Sequence, residues 1–147
     1  MIQRATESDT EKILAHAAES LYEGTMKTSQ FSQEKVLELT VPLLKKGAFY
    51  LVIKHDDILN GWILIGSNKD YFSGEEIGFI YELYVFPSYR GQGLSRQLMR
   101  AAVDELYKLG YSEIRLNVFA GNFAKELYKE MGFVERQSVM SLKRESM

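Results

Sequence analysis

The sequence predicts one α/β domain over residues 1–147, with a mixed, mostly antiparallel central sheet flanked by helices. Three observations carry that expectation. Stretches with apolar residues at every second position alternate with stretches at helical spacing. One strand, Ile77 to Val85, is apolar on both faces, as a covered central strand is. At 147 residues, 46% of them hydrophobic, the chain can bury one sizeable core but not two ordinary ones.

In chain order, Ile2 to Thr6 reads as a short first strand. Ser8-Asp9-Thr10-Glu11 fits an S-x-x-E capping box ahead of Ile13, Leu14, Ala17 and Leu21, and Gly24 breaks that helix. A second helix starts near Ser32, turns Val36, Leu39, Thr40 and Leu43 inward, and must kink or split at Pro42. Phe49 to Lys54 and Ile58 to Gly66 read as strands joined by a turn at His55-Asp56-Asp57. Ser67 to Glu75 is a hairpin loop. In the central strand, Ile77, Phe79, Tyr81, Leu83 and Val85 recur as on one face, while Ile80 and Tyr84 make the other face apolar. Pro87 ends the strand, since proline brings no N–H to a ladder. Leu94, Leu98, Ala101, Ala102, Leu106 and Leu109 mark a helix stopped by Gly110. Ser112 to Phe119 alternates as a further strand. Ala124, Leu127, Tyr128 and Met131 share the face of a short helix that Gly132 ends, and Phe133 to Ser138 and Val139 to Lys143 supply the last strand or strands.

Between the central strand and its helix lies Arg90-Gly91-Gln92-Gly93-Leu94-Ser95-Arg96. A helix opens with N–H groups that lack intrahelical partners, and its dipole puts partial positive charge there. Two glycines admit a ligand close to the backbone, so the turn suits a pyrophosphate. The P-loop pattern is absent, and the dinucleotide fingerprint fails where Arg96 replaces its third glycine.

With L-Y-V-x-P directly before it, the turn resembles the acyl-CoA-binding signature R/Q-x-x-G-x-G/A of the GNAT (Gcn5-related) N-acetyltransferases, with Arg90, Gly93 and Ser95 at its fixed positions. Ser95 departs from the usual Gly or Ala but is still small and keeps its N–H. The element order is similar to that family's over nearly the whole chain, although the family usually ends in a hairpin and Val134 to Arg144 leaves little room for its turn. The resemblance implies acetyl-CoA as acyl donor, a primary amine on a small molecule or protein as acceptor, and direct attack in a ternary complex. It implies that Leu83, Tyr84 and Val85 lie along the pantetheine arm. The N–H groups of Gly91, Gln92, Gly93, Leu94, Ser95 and Arg96, together with Arg90, then hold the pyrophosphate. Dimers are common in the family, so a homodimer is compatible with it.

The chemistry asks for further groups. An alkyl amine with a pKa of about 10 is neutral in roughly one molecule per thousand at pH 7, so a base helps. Glu82, a carboxylate in an otherwise apolar strand, is the candidate, because burial there raises its pKa. The alternatives are a structural carboxylate paired with an arginine, one facing solvent, or a water relay. Tyr128 falls in N-x-x-A-x-x-x-Y-x-x-x-G-F, where the family's tyrosine protonates the departing thiolate; otherwise it is a core aromatic. Asn122 is expected to contact the cofactor, to cap a helix, or both. Tyr22, Glu23, Phe31, Tyr71, Phe72, Glu75 and Tyr81 fall where the family walls its acceptor site, and an aromatic, acidic wall suits a cationic amine.

Other classes recede. The formal net charge of −2 offers no attraction to nucleic acid or an anionic membrane. Without cysteine there is no disulfide, thiolate metal site or cysteinyl intermediate, and His16 and His55 lack companions at metal spacing, so no metal is expected. Trp62 reads as core. No apolar run approaches the ~20 residues of a membrane span, and the N-terminus lacks a signal peptide's apolar stretch, so a cytoplasmic protein is expected. A non-catalytic acyl-CoA-binding or regulatory module is the competing expectation.

Overall fold

A computed structural model describes residues 1–145. The elements are β1 (Ile2–Arg4), α1 (Glu7–Gly24), α2 (Gln33–Lys45), β2 (Phe49–His55), β3 (Ile58–Lys69), β4 (Glu76–Val85), a 3-10 turn (Pro87–Tyr89), α3 (Leu94–Lys108), β5 (Ile114–Leu116) and α4 (Ala124–Glu130). The five strands lie in the order β1-β2-β3-β4-β5. Every pairing is antiparallel except β4 with β5, which α3 joins as a crossover.

Two cores sandwich the sheet. On one face Leu51, Ile53, Ile63, Ile65, Ile80 and Val85 meet Leu98, Met99, Ala102 and Leu106 of α3, with α4 alongside. On the other, Tyr50, Val52, Trp62, Leu64 and Tyr84 meet Ile13 of α1 and the Leu43–Leu44 end of α2. Burying each large side chain of these sets contributes about 1.5–3 kcal/mol.

Several local expectations are revised. The capping box of α1 is set two residues earlier, at Thr6 and Asp9. The Thr6 hydroxyl accepts from the Asp9 N–H at 3.1 Å and Oδ2 of Asp9 accepts from the Thr6 N–H at 2.9 Å. Asp9 also pairs with Lys54 at 2.9 Å, so tertiary packing selects this cap over the Ser8 alternative. Helix α2 runs through Pro42 as one helix, and Leu39 faces outward, 43% exposed. Strand β3 continues to Lys69, shortening the hairpin loop. Asp56 and Asp57 both adopt positive φ in the β2–β3 turn, the conformation a tight hairpin requires.

Strand β4 carries a bulge. Leu64 lies opposite Glu82 and Ile65 opposite Ile80, so Tyr81 has no partner of its own. The alternation therefore shifts: Phe79, opposite Gly66, faces the α1 side, whereas Leu83, opposite Ile63, faces α3. The expected single face from Ile77 to Val85 is thus divided in two.

The chain after β4 departs most. The strand expected over Ser112 to Phe119 contracts to Ile114–Leu116, which pairs only with Gly78–Ile80. No strand forms over 133–143, where Val134, Val139, Met140 and Leu142 are almost wholly exposed. That segment holds no Gly, Pro or Asn to turn a hairpin. Arg136 tethers it to Asp70, which Arg115 also holds at 2.8 Å.

Candidate active site

Because β5 stops at Leu116, the β5-side edge of β4 meets no partner strand among the described residues beyond Ile80. The Phe86 N–H donates to the Asn60 carbonyl at 3.0 Å, which fixes the antiparallel alternation. The backbone of Glu82 and Tyr84 is therefore turned into β3, and that of Leu83 and Val85 toward the open seam. Tyr84 does not join its neighbours there: its ring is buried against Trp62 on the α1 side, with centroids 4.8 Å apart. Gly61 lies opposite Val85, where a Cβ would meet the Tyr84 carbonyl oxygen at 2.6 Å, so close pairing here requires glycine.

At the wide end of the seam, the backbone N–H groups of Gly91, Gln92, Gly93, Leu94, Ser95 and Arg96 find no acceptor among the described residues. Gly91 and Gly93 have φ of 81° and 80°, and a Cβ at either would meet nothing within 4 Å, so space stands open over the turn. Gly93 caps α3 in the left-handed region without a side-chain hydrogen bond. Both arginine side chains are engaged outside the turn. Arg90 donates from Nε to the Val85 carbonyl at 2.8 Å and pairs with Glu23 at 2.9 Å, while Arg96 pairs with Glu130 of α4. The anion-binding capacity of the turn therefore resides in its main chain and the α3 dipole.

At the narrow end, a cavity of about 200 Å³ passes through the sheet. Ser20, Leu21 and Gly24 of α1 and its cap Thr25 line it on one side, Tyr128 and Asn122 on the other, with Ile80 to Leu83 and Leu116 to Phe119 between. Glu82 and Tyr128 thus share one cavity. Burial pushes the Glu82 carboxyl above its ordinary value, and the nearby Ser20 hydroxyl and Trp62 indole offset part of the rise. Neither closes a hydrogen bond of normal geometry, and Oε2 of Glu82 and Nε1 of Trp62 are buried without partners among the described residues. The Tyr50 hydroxyl is buried likewise, and burial, then the Glu82 charge, raise its pKa. Burial also raises Tyr128, which stays protonated at neutral pH. Asn122 Oδ1 accepts from the Ala124 N–H at 2.9 Å in a local turn ahead of α4, whose cap position is Phe123, while the residue faces the cavity.

Of the expected aromatic and acidic wall, only Tyr81 lines the cavity; Tyr71 and Phe72 project from the β3–β4 loop, 90% and 85% exposed. Sequence reasoning missed Ser20, Asn117 and Phe119. A serine continuing the buried stripe of Ile13 and Ala17 was the available signal for Ser20. His16 and His55 are exposed, Trp62 is fully buried, and no cluster of potential metal ligands occurs among the described residues. No helix among them is long and apolar enough to cross a membrane.

A bulged β4 with an unpaired edge, a glycine turn with free N–H groups and a helix running from it define an acyltransferase-like architecture. The chain belongs to the acetyltransferase (GNAT) family, whose sequence profile matches residues 10–133. The uncharacterized N-acetyltransferase YycN of Bacillus subtilis is 34% identical over 94 residues, 63% of this chain and 58% of that protein. The match thus spans less than two thirds of that curated relative. A Pyrococcus furiosus protein provisionally described as an acetyl transferase superposes with a TM-score of 0.82 at 26% identity, over 98% of this chain and 99% of its own. An aminoglycoside N-acetyltransferase solved in complex with CoA shares the fold at a TM-score of 0.70 and 17% identity, over 99% of this chain and 95% of its own.

Proposed function

We propose that the protein transfers the acetyl group of acetyl-CoA to a primary amine by direct attack in a ternary complex. The observation that carries this reading is the continuity of the seam. Free main-chain N–H groups at Gly91 to Arg96 open onto the unpaired edge at Leu83 and Val85, and that edge ends between Glu82 and Tyr128. Family membership and a relative described as an N-acetyltransferase support it.

In this reading the turn binds the diphosphate, and the N–H and C=O of Leu83 with the N–H of Val85 pair with the pantetheine arm as an added strand would. The Val85 carbonyl is already taken by Arg90. The amine nitrogen forms a bond to the thioester carbonyl carbon as the C–S bond breaks. Glu82 takes the proton that frees the amine lone pair, directly or through water. Tyr128 supplies a proton to the departing thiolate, and the second proton that the nitrogen loses as the amide forms restores the phenol. A seam N–H stabilises the negative charge that develops on the carbonyl oxygen. No lysine or arginine lines the cavity and Glu82 does, so the acceptor is taken as a cationic amine that loses its proton there.

Calorimetry with CoA and acetyl-CoA, followed by a CoA-release assay over polyamines, amino acids, aminoglycosides and peptide N-termini, tests the proposal. Binding with turnover on at least one cationic amine is the expected result. Binding with no turnover on any would leave a non-catalytic acyl-CoA module, and no binding would overturn both.

A further inference from the structure

Arg90 stands at the entrance of the phosphate turn, yet its guanidinium faces away from it. It donates to the Val85 carbonyl at 2.8 Å, meets Oε1 of Glu23 at 2.9 Å, and lies 5.3 Å from the centre of the Tyr84 ring. One side chain therefore joins the end of β4, the ring beneath it and the last turn of α1. The planar guanidinium makes both polar contacts from a fixed fork, which a lysine cannot reproduce.

Glu23 belongs to the same turn of α1 as Ser20, Leu21 and Gly24, the cavity wall on the amine side. Beyond it the backbone bonds are local: Thr25 N–H to Leu21, Lys27 N–H to Tyr22 and Thr28 N–H to Thr25. The Glu23 and Arg90 side chains are 28% and 44% exposed, and ion pairs so exposed add little to global stability. What the pair does supply is position.

We infer that Glu23 is a positioning residue: by holding Arg90, it locks the start of the phosphate turn to the amine-side wall. Occupation of the turn is then transmitted to the last turn of α1, and the two substrate sites are built together. The inference rests on the proposed role of Gly91 to Arg96 in binding CoA.

The test uses CoA as probe with the wild type, Glu23→Ala and Arg90→Lys, reading affinity by calorimetry and amide hydrogen exchange over residues 20–28. In the wild type, CoA is expected to slow exchange across that segment. In both variants CoA is expected to bind roughly three- to tenfold more weakly, with the slowing lost and the thermal midpoint close to wild type. A merely structural pair would lower the midpoint and leave affinity and slowing intact, which would overturn the inference, as would slowing that survives in Glu23→Ala. A wild type that binds no CoA would instead refute the reading of the turn, and the inference with it.

Discussion

Glu82 and Tyr128 line one cavity from opposite faces of the sheet, the carboxylate from the α1 side and the phenol from α4. Burial raises both, so one is a stronger base than an ordinary carboxylate and the other keeps its proton.

If Glu82 is the base, Glu82→Gln lowers kcat roughly a hundredfold or more and removes the acid limb of the pH–rate profile, which in the wild type lies above the ordinary carboxylate range. Stability moves the other way. The folded state binds this proton more tightly than the unfolded chain does, so wild-type stability declines as pH rises from the ordinary carboxylate pKa through the folded value. Glu82→Gln cannot ionise and lacks that decline. Denaturant titrations at several pH values, with steady-state kinetics, check both statements.

Tyr128→Phe keeps the ring that packs on Phe133 and removes only the hydroxyl. It is expected to lower kcat about a hundredfold with CoA affinity unchanged, when single-turnover measurements show chemistry to be limiting. An unaltered kcat would dismiss Tyr128 as the acid.

Gly93→Ala forces an L-residue to φ near 80°, at a cost of about 1–2 kcal/mol. Relaxation to negative φ would turn the free N–H groups out of their arc. CoA affinity should fall at least tenfold, more than the stability loss explains, by calorimetry beside thermal melts.

Gly61→Ala pushes β3 from β4 at the level of Val85 and should cost about 1–3 kcal/mol. It should also weaken CoA binding, although residue 61 lies on the far side of β4 from the seam.

Asp70 is held well below the ordinary carboxylate range, chiefly by its hydrogen bond from Arg115, with Ser73 adding to it. Its contribution is present above the unfolded carboxylate pKa and is lost as pH falls through the depressed folded value. Asp70→Asn should lower the melting temperature at neutral pH and flatten its fall in acid, as thermal melts over a pH series would read.

The frame of the molecule was legible because the strand periodicity, the Gly91–Arg96 turn and the Gly110 and Gly132 stops are local signals. Helix α1, by contrast, runs through Gly24 and ends at a Thr25 cap followed by positive φ at Met26 and Lys27. What depends on tertiary contact was not legible. The choice of Thr6 over Ser8 as cap is made with Lys54, and the direction of Arg90 is set by Glu23, far away in sequence. Alternation from Ile77 to Val85 could not reveal that Tyr81 is an extra residue, because a bulge leaves no mark in hydrophobicity. The tail reads as strand by composition but meets no partner edge among the described residues, so its apolar side chains stand in solvent.

The bulge at Tyr81 has one more effect. Deleting that residue would leave Ile80 and Glu82 on the faces they now occupy, but would take out the extra twist that parts β4 from β5. The shortened strand could then zip onto the segment after Leu116 all the way to Val85. The product would be a tidier, more regular sheet with nowhere left to thread a thioester.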